Sequence, residues 1–220
     1  MNKELVKRIL SSIILIPLVF YFLLYGSFMS ASFTIVCSIV SLYEWKKMTK
    51  NRFIKIFGFI FLFFSFYTFY DLSKELFFLI FVILICISTD IGGYIFGKIF
   101  KGPKLTTISP NKTYAGMIGG YFLSLVCLTI VSKLVDYPGT TFQLFTITIL
   151  LSTVSQVGDI IVSYFKRQAR LKNTGNLIPG HGGLLDRIDG MIFAVPTFYL
   201  VDLTGYLNLW KKRLQYLGQL

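Results

Sequence analysis

Long apolar runs alternate with short polar connections along the whole chain. The runs cover residues 9–25, 28–43, 53–70, 76–89, 113–131, 142–162 and 190–209. About 20 helical residues cross a hydrocarbon core, so the pattern predicts about seven transmembrane helices in an all-α polytopic bundle. The fourth run is short and leads into Gly92, Gly93 and Gly97. That pattern suggests a broken or re-entrant segment, whose backbone needs protein or water around it. Residues 1–25 carry the basic start and apolar stretch of a signal peptide, but no small-residue cleavage site follows Tyr25. They are expected to stay as a first span. No internal repeat, low-complexity tract or second domain interrupts the pattern, so residues 1–220 are expected to form one membrane domain.

Composition agrees with lipid as the solvent. Of the 220 residues, 55% are hydrophobic and only 15% are charged, with a mean hydropathy of +0.69; length therefore counts helices instead of soluble domains. The net charge of +12 does not imply nucleic acid, because the basic residues sit in short clusters between apolar runs and not along an aromatic-interleaved face. Anionic lipid or an anionic soluble substrate is the expected partner. Lys3, Lys7 and Arg8 precede the first run, and Lys46, Lys47, Lys50, Arg52 and Lys55 follow the second. Lys98, Lys101, Lys104 and Lys112 follow the fourth, while Lys166, Arg167, Arg170, Lys172 and Arg187 separate the sixth from the seventh. The intervening connections hold only Lys74 and Lys133. The positive-inside rule puts the rich side in the cytoplasm. Lys211, Lys212 and Arg213 disagree if the seventh span crosses fully. Cys37, Cys86 and Cys127 lie apart inside apolar runs, without metal or redox spacing, as small core-filling residues would.

Carboxylates near hydrocarbon are costly and mark candidate chemistry. Glu4, Asp71, Glu75 and Asp136 fall in connections or the terminus, where solvation explains them. Glu44 stands beside Trp45 and Lys46, which an aromatic interfacial anchor and charge pairing explain. Asp202 lies near the outer end of the seventh run. The other four form two groups. Asp90 opens a segment with Gly92, Gly93, Gly97 and Lys98, followed by Lys101, Lys104, Ser109 and Lys112. Its glycines suit either a phosphate cradle or helix packing with lysines at the lipid head groups.

The second group is denser. Asp159, Ser163 and Lys166 recur at i, i+4 and i+7, which gathers a carboxylate, a hydroxyl and an ammonium on one helix face. Asp186 and Asp189 stand three apart, a spacing that two hard oxygen ligands of a divalent cation use and that helix capping around Arg187 also explains. Between the groups runs Pro179-Gly-His-Gly-Gly183, a turn almost free of side chains that carries the one histidine. His181 has no packing role among glycines, which favours a ligand contact or proton transfer. Carboxylates for a metal, cations for polyanions and a bilayer surface together fit phosphoryl or nucleotidyl transfer to a lipid. No Gly-x-x-x-x-Gly-Lys-Ser/Thr loop is present, which argues against a P-loop NTPase.

The segment 163–189 resembles the signature of the phosphatidate cytidylyltransferases, also called CDP-diacylglycerol synthases. It supplies Ser163, Lys166-Arg167, Lys172, Gly175, Pro179, His181-Gly182-Gly183 and Asp186-Arg187-x-Asp189 at the family spacing. Asp90, Tyr94, Gly97-Lys98, Ser109-Pro-Asn-Lys-Thr113 and Gly158-Asp159 are similar too, as is Tyr43-Glu-Trp45, and residues 88–196 form the expected cytoplasmic-side catalytic half. The resemblance implies transfer of the cytidylyl group of CTP to phosphatidate at the cytoplasmic membrane, with Mg²⁺ required. It implies Asp159, Asp186 and Asp189 as the metal centre and, with Lys166, Arg167 and His181, as the catalytic set. Lys172, Arg187, Gly182, Gly183, Ser163, Asp90, Lys98, Ser109 and Lys112 are the implied substrate-binding set. A homodimer is compatible with this reading. Lys172 is followed by Asn173 where the family pattern has Asp, and the amide keeps an acceptor oxygen but loses the charge. Transfer to another lipid phosphate or a polyprenol, and a non-catalytic lipid-binding relative, are the alternatives. A transporter predicts polar residues at mid-membrane, and here the acidic groups sit at the ends of the runs.

Overall fold

The computed structural model describes residues 27–134, 140–178 and 182–206, together with Pro17, Val19, Tyr21, Phe22 and Leu24. The rest of the expected first span, Asp136, His181 and the basic tail lie outside the described residues. Among the described residues the chain is helical, with two isolated β-bridges and no strand. In order the helices are α1 (Ser27–Met48), α2 (Arg52–Ser73), α3 (Leu76–Phe100), α4 (Tyr114–Leu134), α5 (Thr141–Gln168), α6 (Leu185–Ile188) and α7 (Met191–Leu203). The first five are long and apolar enough to cross a membrane.

Local chemistry sets several of the boundaries. Asn51 accepts from the Phe53 N–H at 2.9 Å and so caps α2, satisfying one of the donors that a helix start leaves open. A reciprocal capping box opens α5: the Thr140 hydroxyl accepts from the Gln143 N–H, and the Gln143 carboxamide accepts from the Thr140 N–H. The helix then runs past the expected end near residue 162 to Gln168, carrying Lys166 and Arg167 on its last turn, where cations offset the carbonyl dipoles.

Two expectations change. The fourth apolar run is not broken: α3 continues through Gly92, Gly93 and Gly97 as one helix of 25 residues. These glycines meet α4 across a close contact, where a Cβ on Gly92 would fall 2.2 Å from the Gly119 carbonyl oxygen. Packing thus offsets the helix propensity that glycine lacks. The seventh expected span is represented by α7, whose 13 residues make a helix of roughly 20 Å, preceded by the short α6.

Two apolar clusters hold the bundle. One joins Leu79, Val82 and Ile85 of α3 to Ile147 and Leu151 of α5 and to Ala194, Val195 and Phe198 of α7. The other joins Trp45 and Met48 of α1, Leu62 and Phe66 of α2, Val162 of α5, Leu185 and Ile192. Helix α5 contributes to both and carries the polar groups of the site at its far end. Cys86 is buried in the first cluster, and Cys37 and Cys127 pack beside the clusters as free thiols.

Candidate active site

The site forms where the end of α5 lies against α6 and the start of α7. Close approach there depends on two glycines. A Cβ on Gly158 would meet the Phe193 ring at 2.5 Å, and one on Gly190 would meet the Ser155 hydroxyl at 2.2 Å. With neither side chain present, the carboxyls of Asp159 and Asp189 come into hydrogen-bond contact. Burial pushes the Asp189 carboxyl well above the usual carboxylate range, and the charge of Asp159 pushes it the same way.

Cations surround the pair. Lys112, from the connection before α4, forms an ion pair with Asp159 and reaches the Gln156 carbonyl at 3.4 Å. Lys166 acts electrostatically on both carboxyls of the pair. Asp90 approaches from α3, near enough for its charge to be felt by Asp189 and for Lys112 and Arg187 to act on it. The expected alignment along α5 is present: the Ser163 hydroxyl donates to Asp159 Oδ1 at 3.2 Å.

Asp186 has a different set of partners from Asp189. Its Oδ1 accepts from Lys166 Nζ at 2.9 Å. Its Oδ2 accepts from the backbone N–H groups of Thr174 at 2.8 Å and Gly183 at 3.0 Å. Asp186 therefore holds the turn onto α5. The turn is closed by reciprocal backbone hydrogen bonds between Ile178 and Gly182. Gly182 has φ +89°, where a side chain would be strained, and a Cβ there would sit 2.8 Å from Asp186 Oδ2.

Glu44 belongs to this structure too, although its sequence neighbours suggest an interfacial residue. It is 3% exposed. The N–H groups of Leu184 and Leu185 donate to Oε1 and Oε2, each at 2.9 Å, and the Thr174 hydroxyl donates to Oε2 at 2.7 Å. Trp45 is likewise buried, edge-on to Phe165 with ring centroids 4.8 Å apart, and its indole N–H donates to the Lys55 carbonyl. The glycines before Leu184 and the Tyr-Glu-Trp run were the signals available for this contact, but the partners are 130 to 141 residues apart.

Other expected residues lie outside this knot. Lys98 is exposed over the Tyr94 ring, 5.7 Å from its centroid. Arg167 turns to the Leu171 carbonyl at 3.4 Å, and Lys172 and Asn173 are exposed beside the turn. The Ser109 carbonyl accepts from the Lys112 N–H, so Ser109 shapes the bend that delivers Lys112. Asp202 is buried near the end of α7, while Asp71, expected in a connection, lies in the last turn of α2 and pairs with Lys74 at 2.9 Å.

A half-buried pair of carboxylates suits a hard divalent cation. Mg²⁺ in particular is commonly held by one or two carboxylates, with phosphate and water completing its shell. Among the described residues no set of three or more His, Cys, Asp or Glu side chains converges as an all-protein cage. Asp159 and Asp189 are the carboxylates brought together here that could hold such an ion.

The sequence model of the cytidylyltransferase family matches residues 6–73 and 53–204. The chain is 42% identical over 125 residues to a phosphatidate cytidylyltransferase of Staphylococcus saprophyticus, covering 56% of this chain and 48% of that relative. It is 41% identical over 134 residues to one of Staphylococcus aureus, covering 60% and 52%. It is also 43% identical over 123 residues to one of Brucella suis, covering 56% and 45%. The chain spans about half the length of the curated relatives it matches.

Proposed function

The chain belongs to the cytidylyltransferase family, and from that membership we propose that it transfers the cytidylyl group of CTP to phosphatidate, giving CDP-diacylglycerol and pyrophosphate. The observation that carries this reading is the contact between the Asp159 and Asp189 carboxyls, with Lys112 and Lys166 beside them. Carboxylates brought together among cations suit a reaction between two phosphate anions, whose repulsion has to be cancelled before they can meet.

In this reaction a lipid phosphate oxygen bonds to the α-phosphorus of CTP while the bond from that phosphorus to the bridging oxygen breaks. Pyrophosphate leaves with the electron pair. The lipid phosphate is already largely ionised near neutral pH, so no strong general base is required. Lys166 and Lys112 offset the charge of the incoming phosphates, and Arg187 adds a cation on the Asp90 side. Asp159 and Asp189 would hold Mg²⁺, which when bound supplies charge neutralisation at the phosphate oxygens. Asp186 keeps the turn and Lys166 in register through its hydrogen bonds. Lys172, Gly182 and Gly183 border the same turn and stand as the nucleotide or lipid-phosphate side of the site, a role that the resemblance extends to His181.

The same reading gives the chain about seven spans in the cytoplasmic membrane, with the site on the cytoplasmic face; the alternation of basic and nearly uncharged connections supports it. A homodimer is the assembly it allows. The test is transfer of labelled cytidylyl from CTP into the organic phase by purified protein with phosphatidate and Mg²⁺, beside a chelator control. Chelator-sensitive CDP-diacylglycerol is the expected product. No product from folded protein across several lipid acceptors would overturn the reading in favour of a non-catalytic relative, with Asn173 the first residue to revert.

A further inference from the structure

We propose that Glu44 is a positioning residue: its carboxylate clasps the Gly182–Leu185 turn from α1 and, through Thr174 and Asp186, fixes where Lys166 and the Asp159–Asp189 pair stand. The inference rests on the nucleotidyl-transfer reading for its catalytic consequence, but the clasp itself is independent of it.

A buried carboxylate needs donors, and Glu44 finds three on the turn. Two are the successive N–H groups of Leu184 and Leu185, and the third is the Thr174 hydroxyl. Backbone donors aimed at an ionised oxygen make charge-assisted hydrogen bonds, the stronger kind. Space for them is made by Gly183: a Cβ there would lie 2.0 Å from Thr174 Oγ1 and 2.5 Å from Glu44 Oε1. Gly175 makes room on the other side, where a Cβ would lie 2.7 Å from Oε1.

Thr174 transmits the contact. Its hydroxyl stands 2.7 Å from Glu44 Oε2 and 3.1 Å from Asp186 Oδ2, and its N–H donates to that same Asp186 oxygen. One hydroxyl proton serves the nearer acceptor, Glu44, and the backbone N–H serves Asp186. Asp186 in turn holds Lys166, which acts electrostatically on the Asp159–Asp189 pair. A chain of directional contacts thus runs from the end of α1 to the site. Misplacement of about 1 Å at a reacting group costs roughly 100-fold in rate, so loosening this chain is expected to reduce kcat with little change in KM for CTP.

Glu44→Gln keeps the shape but puts an amide NH₂ against a donor N–H. Thr174→Val removes the hydroxyl and leaves the Thr174 N–H, while Thr174→Ser restores the hydroxyl. The measurements are cytidylyl transfer per folded protein and hydrogen exchange of the Leu184 and Leu185 amides, read by mass spectrometry on full-length protein in detergent. The expected result is protected amides in wild type, faster exchange in Glu44→Gln, a kcat roughly 100-fold lower, and recovery in Thr174→Ser but not in Thr174→Val. Wild-type kcat in folded Glu44→Gln, or Leu184 and Leu185 amides that exchange freely in wild type, would overturn the inference. If Glu44→Gln fails to fold, equal kcat in Thr174→Val and Thr174→Ser overturns it just as well. Wild-type protein inactive in transfer, with amide protection that Glu44→Gln removes, would instead overturn the nucleotidyl-transfer reading and leave the clasp standing.

Discussion

Asp186 and Asp189 illustrate how far spacing alone can go. Three residues apart, they read as a pair of ligands on one helix face, yet α6 is a single turn and the two carboxyls face different partners. Asp186 is committed to Lys166, Thr174 and Gly183, and Asp189 to Asp159. Asp159, Ser163 and Lys166 were better served by the same logic, because they lie on one long helix whose periodicity fixes their common face. Different failures follow from the two carboxyls. Asp189→Asn is expected to lower kcat by about 10²- to 10³-fold, as the loss of a charge-stabilising group does, without disturbing membrane insertion. Asp186→Ala is expected to lose activity and also to free the turn, so that hydrogen exchange accelerates at Thr174 and Gly183. Wild-type turnover in Asp189→Asn would remove that residue from the site. Asn173 is exposed, and an extra charge there stays solvated; Asn173→Asp is therefore expected to insert and turn over like wild type, which the same transfer assay checks.

At the scale of elements, the sequence resolves where helices begin better than what their glycines do. Asn51 and the Thr140–Gln143 box are local signals, complete within four residues, and their helices start where the pattern predicts. Gly92, Gly93 and Gly97 read equally as a break in a helix or as a packing face, since the choice depends on α4, whose Gly116 and Gly119 lie beyond an intervening connection. Structure favours packing, and a steric test follows. Gly92→Ala places a methyl 2.2 Å from a backbone carbonyl that cannot rotate away, so α3 and α4 have to separate. Overpacking of this kind costs about 1–3 kcal/mol, which predicts a lower melting temperature in detergent and a lower yield of folded protein. Gly93→Ala, where the nearest atom to the added methyl is 3.7 Å away, is expected to be tolerated. Equal melting of both variants would show that the glycines do not set the helix separation.

The whole molecule has two ends that differ in chemistry. At one end the Ser30 and Ser73 hydroxyls bond at 2.8 Å and Gln143 donates to the Tyr206 carbonyl; these are neutral contacts that tie helix ends together. At the other end Glu44, Lys112, Asp159, Lys166 and Asp186 form the polar knot. The sequence already separates these ends through the alternation of basic connections, because charge asymmetry needs no knowledge of contacts. It could not say which cations enter the knot: Lys112 and Lys166 do, while Lys98 lies over Tyr94 and Arg167 turns to Leu171. If lipid insertion follows the positive-inside rule, the knot faces the cytoplasm, where CTP is available. Lys172 and Lys74 are both exposed and lie at opposite ends, so each can report its side. In a background with Cys37, Cys86 and Cys127 replaced by serine, Lys172→Cys is expected to react with a membrane-impermeant maleimide only in inside-out vesicles, and Lys74→Cys only in right-side-out ones. Reversed labelling would put the site on the far side from the nucleotide proposed for it and overturn the orientation. Labelling of both cysteines from one side would mean that an odd number of crossings does not separate them, which contradicts α3, α4 and α5 as three successive spans between those positions.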